Sequence, residues 1–265
     1  SSIVFDVLSR YLEYRGFKVR KVQNFTDVDD KIINRARTDG ISTEEVTEKY
    51  IRSFFRSIDG LNVQRATVHP RATEDMPEII ELINRLVDGG SAYASNGSVY
   101  YRVRDKADYG KLSGQNIDEM LEGSRHELED GKKDPADFAL WKAVKPDEPQ
   151  WKSPWGPGRP GWHIECSAMA FKHLGEQIDI HGGGLDLIFP HHENEIAQSE
   201  SASGAIPFSK IWMHNGLLRT SGATMSKSLG NAFNVNAALE EYSSDAIRLW
   251  ILQSHYRTNP LLDKK

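Results

Sequence analysis

One cysteine, one histidine and one glutamate are spaced so that they can bind a metal ion together. Cys166 is the only cysteine among 265 residues, and His191 and Glu195 follow it in the run FPHHENE. Residues four apart share one face of a helix, so the imidazole and the carboxylate can converge with the thiolate. Sulfur, nitrogen and oxygen ligands together suit zinc. Because the sequence has no paired cysteines of the kind that structural zinc fingers use, three mixed ligands indicate a site with a position left for another group.

The same three residues also have ordinary structural interpretations. A single cysteine is often a small buried hydrophobic residue. A His-His-Glu run at the start of a helix often caps the helix or carries solvated charge. Spacing alone leaves these interpretations open, and the neighbouring motifs have to decide between them.

Further motifs surround the candidate ligands. The chain reads GRPGWHIECSAM around Cys166, DIHGGGLDL from residue 179, and MSKSLGN from residue 225. Together and in this order, the motifs resemble the cysteinyl-tRNA synthetase family, a class I aminoacyl-tRNA synthetase family. The resemblance covers nearly the whole chain and includes TDVDDK from residue 26. The set is specific, whereas MSKS or GGG alone would be weak.

The sequence departs from the family pattern in two ways. The family has a HIGH-type motif and a further zinc-binding cysteine upstream of the matched region, and neither occurs here. We therefore expect a fragment that lacks the HIGH segment and the C-terminal anticodon-binding domain, and that by itself binds cysteine and ATP weakly and fails to activate. Thr224 stands where the KMSKS motif of the family has its first lysine, whereas Lys227, the more important contact in the family, is present.

The resemblance implies an α/β fold. We expect a class I Rossmann-like catalytic domain with a parallel sheet, split by a connective insertion and followed by an MSKS-bearing helical region. The two halves of the catalytic domain are placed at residues 1–60 and 163–211, the insertion at 61–162, and the MSKS-loop and helical region at 212–265.

Hydrophobic periodicity and turn residues predict the individual elements. An amphipathic stripe predicts an opening helix that ends at Gly16, and Asn96-Gly97 predicts a hairpin. Charged residues, prolines and tryptophans predict irregular structure over 124–161. The other expected helices are 30–36, 43–57, the segment from Thr73 to Gly89, 164–174, 190–203 and two within 236–254, and the other expected strands are 17–22, 177–180 and 211–219.

The resemblance also implies a role for each motif. Cys166, His191 and Glu195 become zinc ligands that are joined by the substrate thiolate, because zinc holds a thiolate far better than a hydroxyl. Lys227 becomes the catalytic residue, a mobile cation for the ATP phosphates. The implied nucleotide-binding residues are Gly182, Gly183, Gly184, Asp186, Met225, Ser226, Lys227 and Ser228, and the implied substrate-binding residues are Thr26, Trp162 and His192.

Each of these residues has a simpler interpretation as well. The three glycines at 182–184 can form a flexible turn, and Asp186 can be a helix N-cap. Trp162 can be a core aromatic residue, and Thr26 an ordinary turn residue. Lys227 can be an exposed surface lysine.

The implied function is ATP-dependent activation of L-cysteine to cysteinyl-adenylate and transfer of cysteine to the 3′ end of tRNA(Cys). The expected cofactors are Zn2+, the co-substrate ATP and Mg2+ bound with ATP. The alternatives are the cysteine ligase of mycothiol biosynthesis, which uses the same adenylate chemistry with an amino sugar as acceptor, and a non-catalytic tRNA-binding paralogue.

Composition limits the partners and the compartment. With 38% hydrophobic and 27% charged residues, the chain is typical of a globular protein, and no apolar run is long enough to span a bilayer. A net charge of −5 gives no overall attraction to nucleic acid, so a tRNA partner requires a local basic surface. A single cysteine excludes an internal disulfide, which fits a reducing cytoplasm.

Overall fold

The computed structural model describes residues 1–122, 131–220, 223–224 and 234–262. The α-helices in this part of the chain are α1 (Ser2–Tyr14), α2 (Asp30–Asp39), α3 (Thr43–Gly60), α4 (Met76–Asp88), α5 (Ile117–Glu122), α6 (Trp162–Leu174), α7 (Glu193–Ser203), α8 (Val235–Glu241) and α9 (Ser244–Leu252). The strands are β1 (Ala92–Ser95), β2 (Ser98–Tyr101), β3 (Phe138–Ala143), β4 (Gly158–Pro160), β5 (Ile178–Gly184), β6 (Ser209–Asn215), β7 (Arg219–Thr220), β8 (Ala223–Thr224) and β9 (Leu261–Leu262).

Strands β1 to β4 form an antiparallel sheet in sequential order. The predicted hairpin joins β1 and β2, and Asn96 and Gly97 have φ of 50° and 77° as a tight two-residue turn requires. From β4 the chain passes directly into α6 through Gly161. A Cβ on Gly161 would lie 2.0 Å from the Ala139 carbonyl oxygen, so only glycine lets this junction lie against β3.

Strands β5 and β6 form a parallel pair, in register from Ile178 with Ser209 to Gly184 with Asn215. Between them the chain makes two short helical turns, Leu185–Leu187 and Ile188–His192, and then helix α7. This strand–helix–strand unit is the crossover that a parallel pair requires. It places the turn carrying His191 and His192 between the carboxyl end of β5 and helix α7.

The largest apolar core joins the antiparallel sheet to helices α4, α6 and α7. Trp141 of β3 is fully buried in it, together with Ile164 and Met169 of α6 and Ala197 of α7. The sheet lies in the region predicted as an insertion, whereas α6 and α7 lie in the predicted second half of the catalytic domain. Packing against the sheet therefore fixes the positions of α6 and α7, which carry candidate ligands. The division into domains stays a prediction.

The predicted helices and the hairpin are present, but the three other strand predictions and the prediction of irregular structure over 124–161 are wrong in part. Residues 17–22 form no regular strand, because Val22 makes only an isolated bridge to Val68, and the next bridge, from Phe25 to Arg71, lies beyond the predicted strand. The region 124–161 contains β3 and β4, although residues 123–130 are outside the described residues. Strand β5 continues through all three glycines, and β6 ends at Asn215. Among the described residues, no helix is long and apolar enough to cross a membrane.

Candidate active site

The structure brings Cys166, His191 and Glu195 together. Cys166 lies on α6, His191 in the turn before α7, and Glu195 in the first turn of α7. One ligand atom from each residue lies within 4.8 Å of the others. Nε2 of His191 lies 2.9 Å from Oε1 of Glu195, as the spacing of four residues predicts for a shared helix face.

His191 is held from both sides. Its Nδ1 lies 2.8 Å from Nδ1 of His163, so one ring donates a hydrogen bond to the other and Nε2 of His191 is left facing Glu195. Burial, followed by the neighbouring His191, lowers the pKa of His163 to about 3, so His163 is neutral at pH 7. Trp162 stacks on His191 with ring centroids 4.2 Å apart and is 42% exposed. Trp162 therefore covers His191 while its own ring stays partly exposed to solvent, and it is not a core aromatic residue.

Glu195 is fully buried and has one oxygen without a hydrogen bond. Its Oε2 lies 2.7 Å from Nε2 of His181, whereas Oε1 has no partner with acceptable hydrogen-bond geometry within the described part of the chain. Burial by itself raises the pKa of Glu195, but the nearby His181 and His191 outweigh it and hold that pKa well below its ordinary value. A buried carboxylate oxygen without a well-formed hydrogen bond is costly, and a cation bound between Oε1 and His191 would satisfy it.

Cys166 completes the group as a protonated thiol in this environment. Nδ2 of Asn24 lies 3.5 Å from its Sγ. Burial, together with the negative charges of Glu195 and Glu165, raises the pKa of Cys166 well above its ordinary value. A divalent cation would reverse this effect, because coordination favours the thiolate. The soft sulfur, the oriented imidazole and the buried carboxylate oxygen that lacks a hydrogen bond together fit zinc.

His181, His192 and Glu195 form a second group whose ligand atoms lie within 4.8 Å of one another. His192 is 2% exposed, and its Nδ1 lies 2.8 Å from Nε2 of His214. Burial and, among the neighbouring charges, those of His181, His191 and His214 lower the pKa of His192 to about 3. His181 contacts Glu195 directly and orients it, which is how groups beside a metal site commonly act, and Nε2 of His192 lies 4.0 Å from Oε1 of Glu195. A direct substrate contact through His192 stays a prediction.

Neighbouring atoms limit the space beside each glycine of the GGG motif, most firmly at Gly182, where a Cβ would lie 2.4 Å from the backbone carbonyl oxygen of Met213. A Cβ on Gly182 would lie 2.4 Å from the Phe5 ring, and one on Gly183 would lie 2.7 Å from Leu187. A Cβ on Gly184 would lie 2.3 Å from Oδ1 of Asp186. The backbone of β5 is thus closely covered from α1 and from the following turn, at the edge where α/β folds bind ligands.

Asp186 and Thr26 were also predicted to bind ligands, and each lies in a turn or loop near the candidate site. Asp186 is exposed in the middle of the turn Leu185–Leu187, which makes no side-chain cap hydrogen bond, so the N-cap interpretation is wrong. Thr26 lies beside Glu165, the residue before Cys166. Burial and the charge of Asp27 raise the pKa of Glu165 well above its ordinary value, and Thr26 opposes this rise. The structure thus places Thr26 beside Glu165, the sequence neighbour of Cys166, and Asp186 just after the glycine strand.

The remaining predicted residues fall outside the described residues. These are Met225, Ser226, Lys227 and Ser228. The backbone of Thr224, just before them, lies in β8 and pairs with Arg219. Roles for the MSKS residues therefore stay predictions.

Sequence reasoning missed several residues around the candidate ligands. His163 lies three residues before Cys166 on α6, and this helical spacing was a usable signal. Asn24 and His214 approach from distant segments and gave no comparable signal. All three contact or orient a candidate ligand or its histidine neighbour.

Known proteins with similar sequences and folds agree with the motifs. Residues 1–263 match the family described as tRNA synthetases class I (C) catalytic domain. The chain is 56% identical over 263 residues to a Cysteine--tRNA ligase of Carboxydothermus hydrogenoformans, covering 99% of this chain and 56% of that protein. It is 58% identical over 256 residues to a Cysteine--tRNA ligase of Desulforamulus reducens, covering 97% of this chain and 52% of that protein. The chain thus spans about half the length of the curated relatives it matches.

A solved structure extends the comparison to the fold. The methionyl-tRNA synthetase of Mycobacterium tuberculosis, in complex with methionyl-adenylate, superposes with a TM-score of 0.77 at 17% sequence identity. The match covers 99% of this chain and 62% of that chain. At this identity the likeness establishes a shared α/β fold.

Proposed function

The chain belongs to the family of class I tRNA synthetase catalytic domains of the cysteine type, and on that basis we propose that it carries the cysteine-activating centre of a cysteine–tRNA ligase. The reaction is ATP-dependent formation of cysteinyl-adenylate, followed by transfer of cysteine to the 3′ end of tRNA(Cys). The observation that carries the proposal is the convergence of Cys166, His191 and Glu195 within 4.8 Å. The names of the curated relatives support the choice of amino acid and tRNA.

The three converging residues would hold Zn2+ and thereby select the amino acid. A bound zinc ion prefers the thiol of cysteine to the hydroxyl of serine, which has nearly the same shape. His163 and His181 orient His191 and Glu195 for this task. Trp162, stacked on His191 at the partly open side, covers the amino acid when it is bound.

The activation step transfers the adenylyl group of ATP to cysteine. It requires that the two substrates be positioned and that positive charge stabilise the phosphates. The cysteine carboxylate oxygen attacks the α-phosphorus of ATP, a carboxyl–phosphate bond forms, and the bond to the leaving pyrophosphate breaks. The strand 182–184 and Asp186 bind the adenosine, and Thr26 positions the amino acid. Lys227 neutralises the charge that develops on the phosphates, together with Mg2+ brought by ATP.

Two other functions remain as alternatives. A cysteine ligase of mycothiol biosynthesis would share the activation step and use an amino sugar as acceptor, and a non-catalytic tRNA-binding paralogue would bind without activation. The relatives named as Cysteine--tRNA ligases favour the synthetase over the first alternative. The retained ligands and Lys227 favour it over the second. A cytoplasmic location is part of the same proposal.

Cysteine-dependent pyrophosphate exchange tests the proposal. The assay compares the 265-residue chain with a version extended to the length of the curated relatives. We expect exchange in the extended protein, loss of zinc and of cysteine affinity together in Cys166→Ser, and no stimulation of exchange by serine. Elemental analysis that finds no zinc in the extended protein would exclude the proposed selection. Cysteine transfer to an amino sugar, with none to tRNA(Cys), would favour the ligase alternative.

A further inference from the structure

Glu193 lies between the candidate ligands in sequence but faces a different part of the molecule. It is 1% exposed at the start of α7. Its Oε2 accepts hydrogen bonds from the backbone N–H groups of Leu112 and Ser113, at 3.1 and 2.8 Å. These two residues belong to the loop 106–113, which lies between β2 and β3 of the antiparallel sheet in the sequence. The carboxylate of Glu193 therefore ties this loop to the turn that carries the ligands.

The next residue strengthens the same attachment. Oδ1 of Asn194 accepts a hydrogen bond from the Tyr109 hydroxyl at 2.5 Å, and Tyr109 belongs to the same loop. Two consecutive residues at the start of α7 are thus held by one loop. Hydrogen bonds to a buried carboxylate contribute more than neutral ones, so Glu193 is the stronger of the two anchors.

Helix geometry connects this attachment to the metal ligands. Each residue advances about 100° around a helix, so Glu195 projects roughly 200° away from Glu193. The loop therefore contacts the side of the helix opposite to the ligands. Glu195 lies on the ligand side, and so does His191, one turn earlier. A small rotation of this turn would move both ligand atoms relative to Cys166, which is fixed on α6.

We propose that Glu193 is a positioning residue that fixes the rotation of the first turn of α7 and so sets the directions of His191 and Glu195 towards the metal. The inference rests on the proposed function, because it assumes that these residues bind a metal ion. The loop 106–113 would then influence how tightly the metal is held, acting through Glu193.

Glu200 provides a matched control on the same helix. It is 3% exposed and pairs with Lys106 and Lys111 of the same loop, at 2.8 and 2.6 Å. Glu200 is nearly two helical turns from Glu193 and further from the ligands. Glu193→Ala and Glu200→Ala each remove one buried carboxylate that holds the loop, and only Glu193 adjoins the ligand-bearing turn.

The test measures metal release and ligand geometry in the extended protein. Zinc release to a chelator reports retention, and the sulfur-to-cobalt absorption of the Co2+-substituted protein reports geometry. We expect Glu193→Ala to speed zinc release roughly 10- to 100-fold, the range seen when a group behind a metal ligand is removed, and to alter the cobalt spectrum. Glu193→Gln keeps an oxygen acceptor and should recover most of the retention. Glu200→Ala should lower the thermal midpoint but leave both metal measurements unchanged.

The outcomes separate this inference from the proposed function. If wild-type protein binds no zinc, the proposed metal selection fails, and the inference fails with it. If wild-type protein binds zinc and both alanine variants release it equally, the inference alone is overturned. Should Glu193→Ala not fold, Tyr109→Phe removes the hydroxyl bond to Asn194 while keeping the ring. This variant should alter the cobalt spectrum in the same direction, and an unchanged spectrum would overturn the inference.

Discussion

Replacing His163 by phenylalanine tests whether the imidazole of His191 must be oriented to bind metal. Nδ1 of His163 lies 2.8 Å from Nδ1 of His191, and this contact leaves Nε2 of His191 facing Glu195. Phenylalanine keeps an aromatic ring beside Phe138, whose centroid is 5.6 Å away, but it has no hydrogen-bonding atom. We expect the apolar packing to survive and the orientation of His191 to be lost.

The magnitude follows from two effects. Loss of a partner behind a metal-binding histidine typically costs about 10- to 100-fold in metal affinity, which is about 1.4 to 2.8 kcal/mol of binding free energy. A buried polar atom left unpaired costs about 1 to 3 kcal/mol of folding free energy. We therefore expect His163→Phe to weaken zinc binding by at least about tenfold, with a smaller loss of stability if His191 rotates to find another partner.

Zinc affinity is measured by competition with a chelator of known affinity, and stability by chemical unfolding of the zinc-free protein. His173→Phe is the matched control. His173 lies on the same helix, and its Nε2 lies 3.3 Å from Oδ2 of Asp75, far along α6 from the ligands. The control should lose stability and keep its zinc affinity. A folded His163→Phe protein with zinc affinity within about twofold of wild type would refute the reasoning, because the 10- to 100-fold cost would be absent.

Further predictions concern packing, pH and the MSKS motif. Gly183→Ala would place a Cβ 2.7 Å from Cδ1 of Leu187 and 3.2 Å from Cε1 of the buried His192, and overpacking of this kind should lower the free energy of unfolding by about 1 to 3 kcal/mol; a change below about 0.5 kcal/mol would contradict it. Burial lowers the pKa of His69, and its neutral ring accepts a hydrogen bond from the Ala66 N–H at 3.1 Å. The stability that neutral His69 contributes is therefore complete above the pKa that histidine has in the unfolded chain, and it is lost as the pH falls below that pKa. Unfolding of wild type and His69→Gln at pH 7 and 5 should show the smaller decline in the variant, and equal declines would argue against this assignment. Lys227→Ala should lower kcat for pyrophosphate exchange far more than it raises KM for cysteine, and an unchanged kcat would exclude a transition-state role.

The sequence predicted those parts of the molecule that depend on neighbouring residues. The helices follow from apolar stripes and turn residues, and in the structure Ser42 and Glu45 also form a complete capping box at the start of α3. The hairpin follows from Asn96-Gly97, and the convergence of His191 with Glu195 follows from their spacing. In each case the signal lies within a few residues of the structure that it specifies.

Features that depend on distant contacts were predicted poorly. Asn24 reaches Cys166 across 142 positions of the chain, and the sequence contains no local trace of this contact. Strand β3 was hidden because Trp141 and the surrounding charges resemble an irregular segment, although pairing with β2 and β4 makes it the centre of a sheet. The GGG motif suggested a ligand, whereas Phe5 of helix α1, distant in the sequence, supplies a packing reason for Gly182.

The shared apolar core limits how this catalytic domain can change in evolution or engineering. Trp141 of the antiparallel sheet and Met169 and Ala197 of the ligand-bearing helices belong to one buried cluster. A region with its own hydrophobic core can be exchanged between homologues as a unit, but the buried residues of this sheet belong to the core that it shares with α4, α6 and α7. Transplanting residues 61–162 from a relative would leave unmatched surfaces against α6 and α7, and successful chimaeras should need compensating changes in both helices.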